Sequence, residues 1–281
     1  MTRTSQSQQA ILEREAPSEH PARTGMTHVV ASGKGGVGKS TLSILLAREM
    51  AVRGRRVLLF DGSQNQGNLH ILLGVAPARD LVGLLAGDSE PESLLRHVSE
   101  GLWLLPSASG SERLQGFSPL DRARLHLRLS ELFDSYDDIV VDAGPGYEAA
   151  VRAATMRASR LIAVAVPEPA SLADAYAVVK LVHLQAPTLA IDLLVNQVVD
   201  EEEGLAVLER LQFASERFLG RSLGYLGSVR ERSDVRASAR TPGALLGLRD
   251  DDVAGAAERI LDADANAAGE RDARAGDSWA I

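Results

Sequence analysis

The sequence contains no cysteine among its 281 residues. Disulfide bonds, thiolate metal sites and cysteine nucleophiles are therefore excluded. The six histidines offer no pair at the spacing of metal ligands, so a histidine-based metal site is not indicated either. A chain of this length can bury a core that folds without such cross-links.

Long apolar segments are also missing. Residues 1–25 are polar and lack the hydrophobic stretch of a signal peptide, and no run approaches the length of a membrane span. We therefore expect a cytoplasmic protein. The net charge of −8 argues against a dedicated nucleic-acid binder, unless a local basic patch overrides it.

One glycine-rich stretch, residues 33–41, has the context of a phosphate-binding loop. It follows an apolar run at 27–32 and precedes a helical pattern at 42–50, which predicts a strand, a loop and a helix start. Glycines let consecutive backbone N–H groups surround an anion, the helix dipole assists them, and Lys39 adds a full positive charge. Ser40 follows where a hydroxyl can ligate the Mg²⁺ of a bound nucleotide. The alternative is an ordinary glycine turn. The predicted nucleotide-binding residues of this loop are Gly33, Lys34, Gly35, Gly36, Val37, Gly38, Lys39, Ser40 and Thr41.

A second lysine, Lys34, distinguishes this loop. Lys39 already reaches the β-phosphate, so Lys34 is not needed for that contact. Its expected use is to contact a phosphate across a dimer interface, as an arginine finger does. The pattern Lys-Gly-Gly-x-Gly-Lys-Ser resembles the deviant P-loop of the MinD/ParA family, whose members form dimers around their nucleotides with this lysine acting in trans. The resemblance implies an ATP-dependent homodimer in which Lys34 and Lys39 are catalytic.

Apolar runs that alternate with helical patterns predict the fold. We expect an α/β protein with a three-layer P-loop NTPase fold, in which helices flank a mostly parallel central sheet. We place a disordered N-terminal tail at 1–25, one ATPase domain at 26–262 and a disordered C-terminal tail at 263–281. The predicted strands are 27–32, 57–61, 102–106, 139–142, 161–166 and 190–195. The predicted helices are 42–50, 70–73, two short ones within 79–100, one at 119–133, one from 171 and one at 202–218.

Two aspartates, Asp61 and Asp142, end predicted strands. Ligands of open α/β sheets bind at the carboxyl edge of the strands. Asp142 has the position of the acid that holds Mg²⁺, usually through water, and Asp61 can do the same as a catalytic and metal-binding residue. Gly144 or Gly146 can present an N–H group to the γ-phosphate. Alternatively, each aspartate caps the loop that follows its strand.

Later segments narrow the resemblance. The stretches Pro-Glu-Pro-Ala-Ser-Leu-Ala-Asp-Ala-Tyr at 167–176 and Leu-Val-Asn-Gln-Val at 194–198 are similar to the flagellar-placement branch of the MinD/ParA family, called FlhG or FleN. The similarity also includes 57–74 and 216–236. It implies regulation of flagellum placement or number, ATP or ADP and Mg²⁺ as cofactors, and a hydrogen bond from Asn196 to the adenine edge. From the residues alone, Asn196 could equally cap a turn.

The second motif departs from the family. There it carries two aspartates separated by one residue, and the second positions the attacking water. Here Asp61-Gly62-Ser63 keeps the first and places serine second. A hydroxyl cannot accept a proton from water as a carboxylate does, and losing such a group costs a factor on the order of 100 to 10,000 in rate. We therefore expect weak or absent hydrolysis, so that bound nucleotide acts as a conformational clamp.

Both chain ends also depart from the FlhG pattern. Gln8-Gln9-Ala10 followed by Arg14 partly resembles the motif with which this branch engages its partner GTPase FlhF; the alternative is a polar disordered tail. The family often ends in a basic amphipathic helix that lies on the membrane, whereas the helix expected near 253–261 is acidic. We expect this helix to dock on the protein's own core and any membrane contact to be weak. Recruitment to the cell pole or the inner membrane face stays open. The apolar face of this helix comprises Val253, Ala256, Ala257, Ile260 and Leu261.

Three functions fit these features. The first is a regulatory ATP switch that controls the position or number of a polar machine, most simply the flagellum. The second is a non-hydrolysing scaffold of the same fold. The third is a ParA-type DNA or cargo partition ATPase. Contact with DNA would need a basic surface, and the candidate is a strip of four arginines. Glu231 and Asp234 interrupt this basic strip, so DNA contact is not expected. The strip consists of Arg230, Arg232, Arg236 and Arg240.

Overall fold

The computed structural model describes residues 25–63, 67–76, 90–106, 127, 131–144, 146–155 and 158–277. The strands are β1 (Met26–Ala31), β2 (Val57–Gly62), β3 (Arg96–Ser99), β4 (Leu102–Leu105), β5 (Asp138–Ala143), β6 (Arg160–Ala165), β7 (Ala190–Val198) and β8 (Gly224–Arg230). They form one eight-stranded sheet in the order β3-β4-β2-β5-β1-β6-β7-β8. Among the described strands, every pairing is parallel except that of β3 with β4.

Helices connect these strands and cover the sheet. They are α1 (Lys39–Val52), α2 (Leu69–Leu72), α3 (Tyr147–Thr155), α4 (Pro169–Gln185), α5 (Glu201–Leu219), α6 (Ser233–Ser238) and α7 (Asp251–Asp277), with 3₁₀ turns at Pro91–Leu94 and Ala244–Gly247. The predicted α/β fold with a mostly parallel central sheet flanked by helices is confirmed.

The core lies on both faces of the sheet, because successive strand residues point to opposite sides. In β1, Val30 joins a cluster that contains Leu46 of α1 and Ala256 of α7. Its neighbour Val29 joins the opposite cluster, which contains Val178 of α4. The helices α1 and α7 therefore cover one face, and α3 and α4 cover the other.

One predicted pair of helices is partly wrong. Within 79–100, the described part is a 3₁₀ turn at Pro91–Leu94 followed by strand β3. Gly101, with φ of 70°, turns the chain so that β3 pairs with β4. Four half-buried residues are too few to display a strand period, so the pattern could not reveal this strand. Residues 79–89 and most of the predicted helix at 119–133 lie outside the described residues.

The C-terminal helix α7 docks on the protein's own core, as predicted. Its apolar face packs in the same cluster as α1, and Leu261 lies partly buried against it. None of the described helices has both the length and the apolar character needed to cross a membrane. The fully buried residues of this face are Val253, Ala256, Ala257 and Ile260.

The same helix continues to Asp277, past residue 262, where the sequence analysis places the end of the domain. Asp264 lies beyond that boundary and is only 8% exposed. Its carboxylate accepts a hydrogen bond of 3.1 Å from the Arg160 guanidinium and lies 3.5 Å from Nε2 of His28. The predicted N-terminal tail falls outside the described residues, apart from Gly25.

Candidate nucleotide-binding site

The glycine-rich loop joins β1 to α1 at the carboxyl edge of the sheet. Gly36 and Gly38 have φ of 84° and 85°, a conformation that glycine adopts without a steric penalty. Gly38 precedes α1, and no side chain caps the first turn of this helix. The backbone N–H groups of that turn are therefore left for an anion, as a phosphate-binding loop requires.

Gly33 fixes the other end of the loop against α3 and α4. A Cβ atom at this position would lie 2.6 Å from the Asp174 carbonyl oxygen and 2.7 Å from Cε1 of Tyr147. The Tyr147 hydroxyl donates a 2.5 Å hydrogen bond to the Asp174 carboxylate. The loop is thus in contact with both helices, and only glycine fits at position 33.

Lys39 and Asp142 form a buried pair at the centre of the site. Nζ of Lys39 donates to Oδ1 of Asp142 over 2.5 Å, and the two side chains are 10% and 1% exposed. Ser43, one turn along α1, lies 3.5 Å from the same oxygen. Oδ2 of Asp142 is buried and has no hydrogen-bond partner among the described residues. A buried carboxylate oxygen with spare capacity fits the predicted role of holding Mg²⁺ through water.

Asp61 lies beside Asp142, because β2 and β5 pair with these residues in register. Its carboxylate accepts backbone hydrogen bonds of 3.1 Å from Ser63 and 3.2 Å from Leu69. Burial raises the pKa of Asp61, those two N–H groups lower it, and the Asp142 carboxylate raises it again; the net shift is upward. The geometry is that of the loop-capping alternative, and a catalytic or metal-binding role for Asp61 stays a prediction.

Ser63 lies at the same edge and is 8% exposed. Its Cα is 3.5 Å from the point where a Cβ on Gly144 would stand. The serine that replaces the second aspartate is therefore next to the segment that follows Asp142. Gly146, the other candidate γ-phosphate donor, has φ of 92° at the start of α3.

Lys34 extends from the loop toward solvent. Its ammonium group forms a 2.7 Å ion pair with Glu168 of the same chain, and the two side chains are 41% and 58% exposed. The sequence analysis assigns no role to Glu168. Its position after β6, at the same sheet edge as Asp61 and Asp142, is the feature that could have indicated a place in the site.

Asn196, at the end of β7, contacts the loop from the side. Its Nδ2 donates a 2.8 Å hydrogen bond to the Val37 carbonyl oxygen, and the residue is 8% exposed. Asn196 and Thr41 also line a cavity of about 500 Å³ beside the loop. The predicted adenine contact of Asn196 stays a prediction; the observed partner is the loop backbone.

The predicted basic strip borders the same cavity. Three of its four arginines pair with carboxylates, so most of the positive charge of the strip is neutralised. The fourth, Arg240, lines the cavity. The ion pairs join Arg230 to Asp252, Arg232 to Asp234 and Asp250, and Arg236 to Glu231.

Comparison with known proteins agrees with this geometry. The sequence matches the CobQ/CobB/MinD/ParA nucleotide binding domain over residues 28–242. It is 32% identical over 223 residues to the antiactivator FleN of Pseudomonas aeruginosa, and this alignment covers 79% of each chain. It is 31% identical over 212 residues to the flagellum site-determining protein YlxH of Helicobacter pylori, covering 75% of this chain and 71% of that one.

The fold is similar to that of the septum site-determining protein MinD from Pyrococcus horikoshii, solved in complex with Mg-ADP. The TM-score is 0.67 at 24% identity, over 84% of this chain and 96% of that one. The loop geometry, the matched domain and the two relatives agree. The chain belongs to the MinD/ParA family of nucleotide-binding proteins and, within it, to the FlhG/FleN branch.

Proposed function

We propose that this protein is an ATP-binding switch that dimerises around ATP and Mg²⁺ and regulates the placement or number of the flagellum, with weak or absent hydrolysis. The observation that carries the proposal is a loop with two lysines in different environments. Lys39 is buried beside Asp142, whereas Lys34 is exposed at the rim.

The buried lysine supports nucleotide binding. An incoming β-phosphate can take over the ammonium group of Lys39 from Asp142, because both acceptors are anionic and the loop adds N–H donors. Asp142 would then be free to hold Mg²⁺ through water, with Ser40 as the hydroxyl ligand. When bound, the ion neutralises charge on the phosphates.

The exposed lysine supports dimerisation. An ion pair as exposed as Lys34 with Glu168 is worth about 1 kcal/mol or less, so a triphosphate on a second subunit can compete for the ammonium group. Transfer of Lys34 to the partner's nucleotide would make the dimer depend on ATP. This gives the switch its two states.

The relatives support a flagellar role. Antiactivator FleN and flagellum site-determining YlxH each align with more than two thirds of this chain. An FlhF-like GTPase or a flagellar protein is the partner class that this role implies. A DNA partition role is less well supported, because the ion pairs of Arg230, Arg232 and Arg236 leave little free positive charge for phosphates.

The test is size-exclusion chromatography with light scattering, run without nucleotide, with ADP·Mg²⁺ and with ATP·Mg²⁺. We expect the unaltered protein to double in mass only with ATP·Mg²⁺, and Lys34→Ala to stay monomeric. Lys180→Ala, which removes an exposed lysine of α4, should dimerise normally. If the unaltered protein has the same mass in all three conditions, the dimeric switch is wrong.

A further inference from the structure

Three buried side chains that can bind a metal ion meet at the strand ends opposite the nucleotide loop. They are His28 of β1, Asp138 of β5 and Asp264 of α7, and each is at most 8% exposed. Nε2 of His28 lies 3.0 Å from Oδ1 of Asp138 and 3.5 Å from Oδ2 of Asp264. The sequence could not indicate this group by spacing, since His28 and Asp138 are 110 positions apart.

Hydrogen bonding leaves one oxygen of this group unsatisfied. A single N–H on Nε2 of His28 serves one carboxylate well, and the structure pairs it with Asp138. Oδ2 of Asp264 faces the same nitrogen, is buried and has no hydrogen-bond partner among the described residues. Buried carboxylate oxygens normally have a donor, so the lone pairs of this oxygen are available to a cation.

Arginines hold the other oxygen of each carboxylate. Nε of Arg55 donates to Oδ2 of Asp138 over 2.7 Å, and Nη2 of Arg160 donates to Oδ1 of Asp264 over 3.1 Å. Each carboxylate therefore has one oxygen fixed by a guanidinium group and directs the other toward His28. Outer hydrogen bonds of this kind orient the ligands of metal sites.

The three facing atoms match the ligand set of a transition metal. Ligand atoms around one ion at about 2.1 Å lie about 3.0–3.4 Å apart in octahedral or tetrahedral geometry. The observed distances from Nε2 are 3.0 and 3.5 Å, and all three atoms lie within 4.8 Å of one another. One imidazole with two carboxylates suits Zn²⁺ and related ions, whereas Mg²⁺ and Ca²⁺ prefer oxygen ligands alone. Binding uses the lone pair of Nε2, so the ring proton moves to Nδ1, where no donor in the described part of the chain opposes it.

The charge around these atoms also favours a cation. Three carboxylates and two guanidinium groups meet here, so with a neutral imidazole the cluster carries one net negative charge. Such a buried charge is costly unless a cation or a proton on the imidazole balances it. The site is close to solvent, because residues 265–268 of α7 are exposed. The charged groups are Asp138, Asp192, Asp264, Arg55 and Arg160.

We propose that His28, Asp138 and Asp264 bind a divalent transition cation of the Zn²⁺ class, which joins α7 to strands β1 and β5. The ion stabilises the fold, because its three ligands come together only in the folded chain. The inference goes beyond the proposed nucleotide switch and does not rest on it, since the site lies at the other end of the sheet.

The test uses the untagged full-length protein, treated with a chelator and titrated with Zn²⁺ or Co²⁺ alone in the absence of nucleotide. We expect one ion per chain, and with Co²⁺ a visible absorption band much stronger than that of the hydrated ion. Zn²⁺ should also raise the midpoint of urea unfolding, because it binds only the folded chain. Failure of the unaltered, folded protein to bind either ion would overturn the proposal.

Substitutions locate the ion. His28→Gln and Asp264→Asn should each weaken Zn²⁺ binding by about 100-fold or more, since loss of an outer partner alone costs 10–100-fold. The glutamine amide can donate to both carboxylates, so His28→Gln should fold. Asp262→Asn, at an exposed position of the same helix, should bind Zn²⁺ like the unaltered protein. Undiminished Zn²⁺ binding by folded His28→Gln would overturn the proposal.

Diffraction gives a measurement that needs no variant. Anomalous difference maps at the zinc edge, from crystals of the unaltered protein grown with Zn²⁺, should place an ion about 2.1 Å from the three ligand atoms. A zinc peak only at other positions, the nucleotide loop included, would overturn the proposal. None of these experiments contains nucleotide, so their failure would leave the proposed ATP switch untouched.

Discussion

At the scale of single residues, the proposed weak hydrolysis depends on Ser63. It is buried beside Gly144, which follows the end of β5 at Ala143. A hydroxyl cannot serve as a base for water near neutral pH, whereas a carboxylate can. Of the two neighbouring carboxylates, Asp61 accepts two backbone N–H groups, and Oδ1 of Asp142 is paired with Lys39.

We predict that Ser63→Asp raises the steady-state rate of phosphate release from ATP by about tenfold or more. The unaltered protein should release phosphate slowly or not at all, because a serine stands where the attacking water needs a carboxylate. Ser63→Asn has the shape of the aspartate without its charge, and it should remain as slow as the unaltered protein. Rapid turnover by the unaltered protein, or equal rates for the two variants, would contradict this assignment.

The sequence predicts the chemistry of the site better than its contacts. Lys39 and Asp142 could be assigned to one site from the sequence, because a P-loop lysine and a strand-terminal acid meet at one sheet edge. The hydrogen bond from Asn196 to Val37 could not be predicted, since it joins residues 159 positions apart in the chain. Asp61 shows the same limit, because the sequence does not indicate that the backbone N–H groups of Ser63 and Leu69 both reach its carboxylate.

At the scale of elements, a buried ionic cluster anchors α7 to the strand ends opposite the nucleotide loop. Asp264 of α7 pairs with Arg160 of β6, which also pairs with Asp192 of β7. On the other side, His28 of β1 lies between Asp264 and Asp138. Arg55 completes the cluster by pairing with Asp138.

The cluster holds Asp138 in its charged form. Burial raises the pKa of Asp138, but hydrogen bonds and charges from His28 and Arg55 outweigh this effect, so the pKa lies below its usual value. A carboxylate with a lowered pKa contributes stability above its unfolded pKa of about 3.9. That contribution is lost as the pH falls through the folded pKa, so the cluster is intact near neutrality.

We predict that Asp264→Asn lowers the free energy of unfolding by about 3 kcal/mol, because it leaves buried Arg160 with one carboxylate fewer. Asp262→Asn changes an exposed residue two positions earlier on the same helix, and it should alter stability by about 0.5 kcal/mol or less. Urea unfolding at pH 7 measures both. Equal effects of the two substitutions would show that α7 is held by its apolar face alone.

The elements that could be predicted are those with long uniform patterns. Strands β1, β2, β5, β6 and β7 are apolar runs buried on both faces, which is the pattern of a parallel sheet. Strand β8 was missed, because it contains two glycines and is only partly buried. The alanine-rich, acidic sequence of α7 does not display the buried position of Asp264.

At the scale of the whole molecule, nucleotide binding and dimerisation should both raise the thermal stability of the protein. A ligand that binds only the folded chain stabilises it by about 2.7 kcal/mol at a concentration one hundred times its Kd. This shift does not depend on protein concentration. Dimerisation adds a second dependence, because two chains then share one folded species, and the midpoint Tm rises as the protein is concentrated.

Substituting Lys34 and Lys39 in turn should separate the effect of nucleotide binding on the Tm from the effect of dimerisation. With ATP·Mg²⁺, we expect the Tm of the unaltered protein to rise and to increase further with protein concentration; without nucleotide it should be independent of concentration. Lys34→Ala should keep the nucleotide-induced rise, since the buried Lys39 still meets the phosphates, but lose the concentration dependence. Lys39→Ala should lose both. Differential scanning calorimetry over a dilution series measures this, and a concentration-dependent Tm in Lys34→Ala would show that the exposed lysine does not join the subunits.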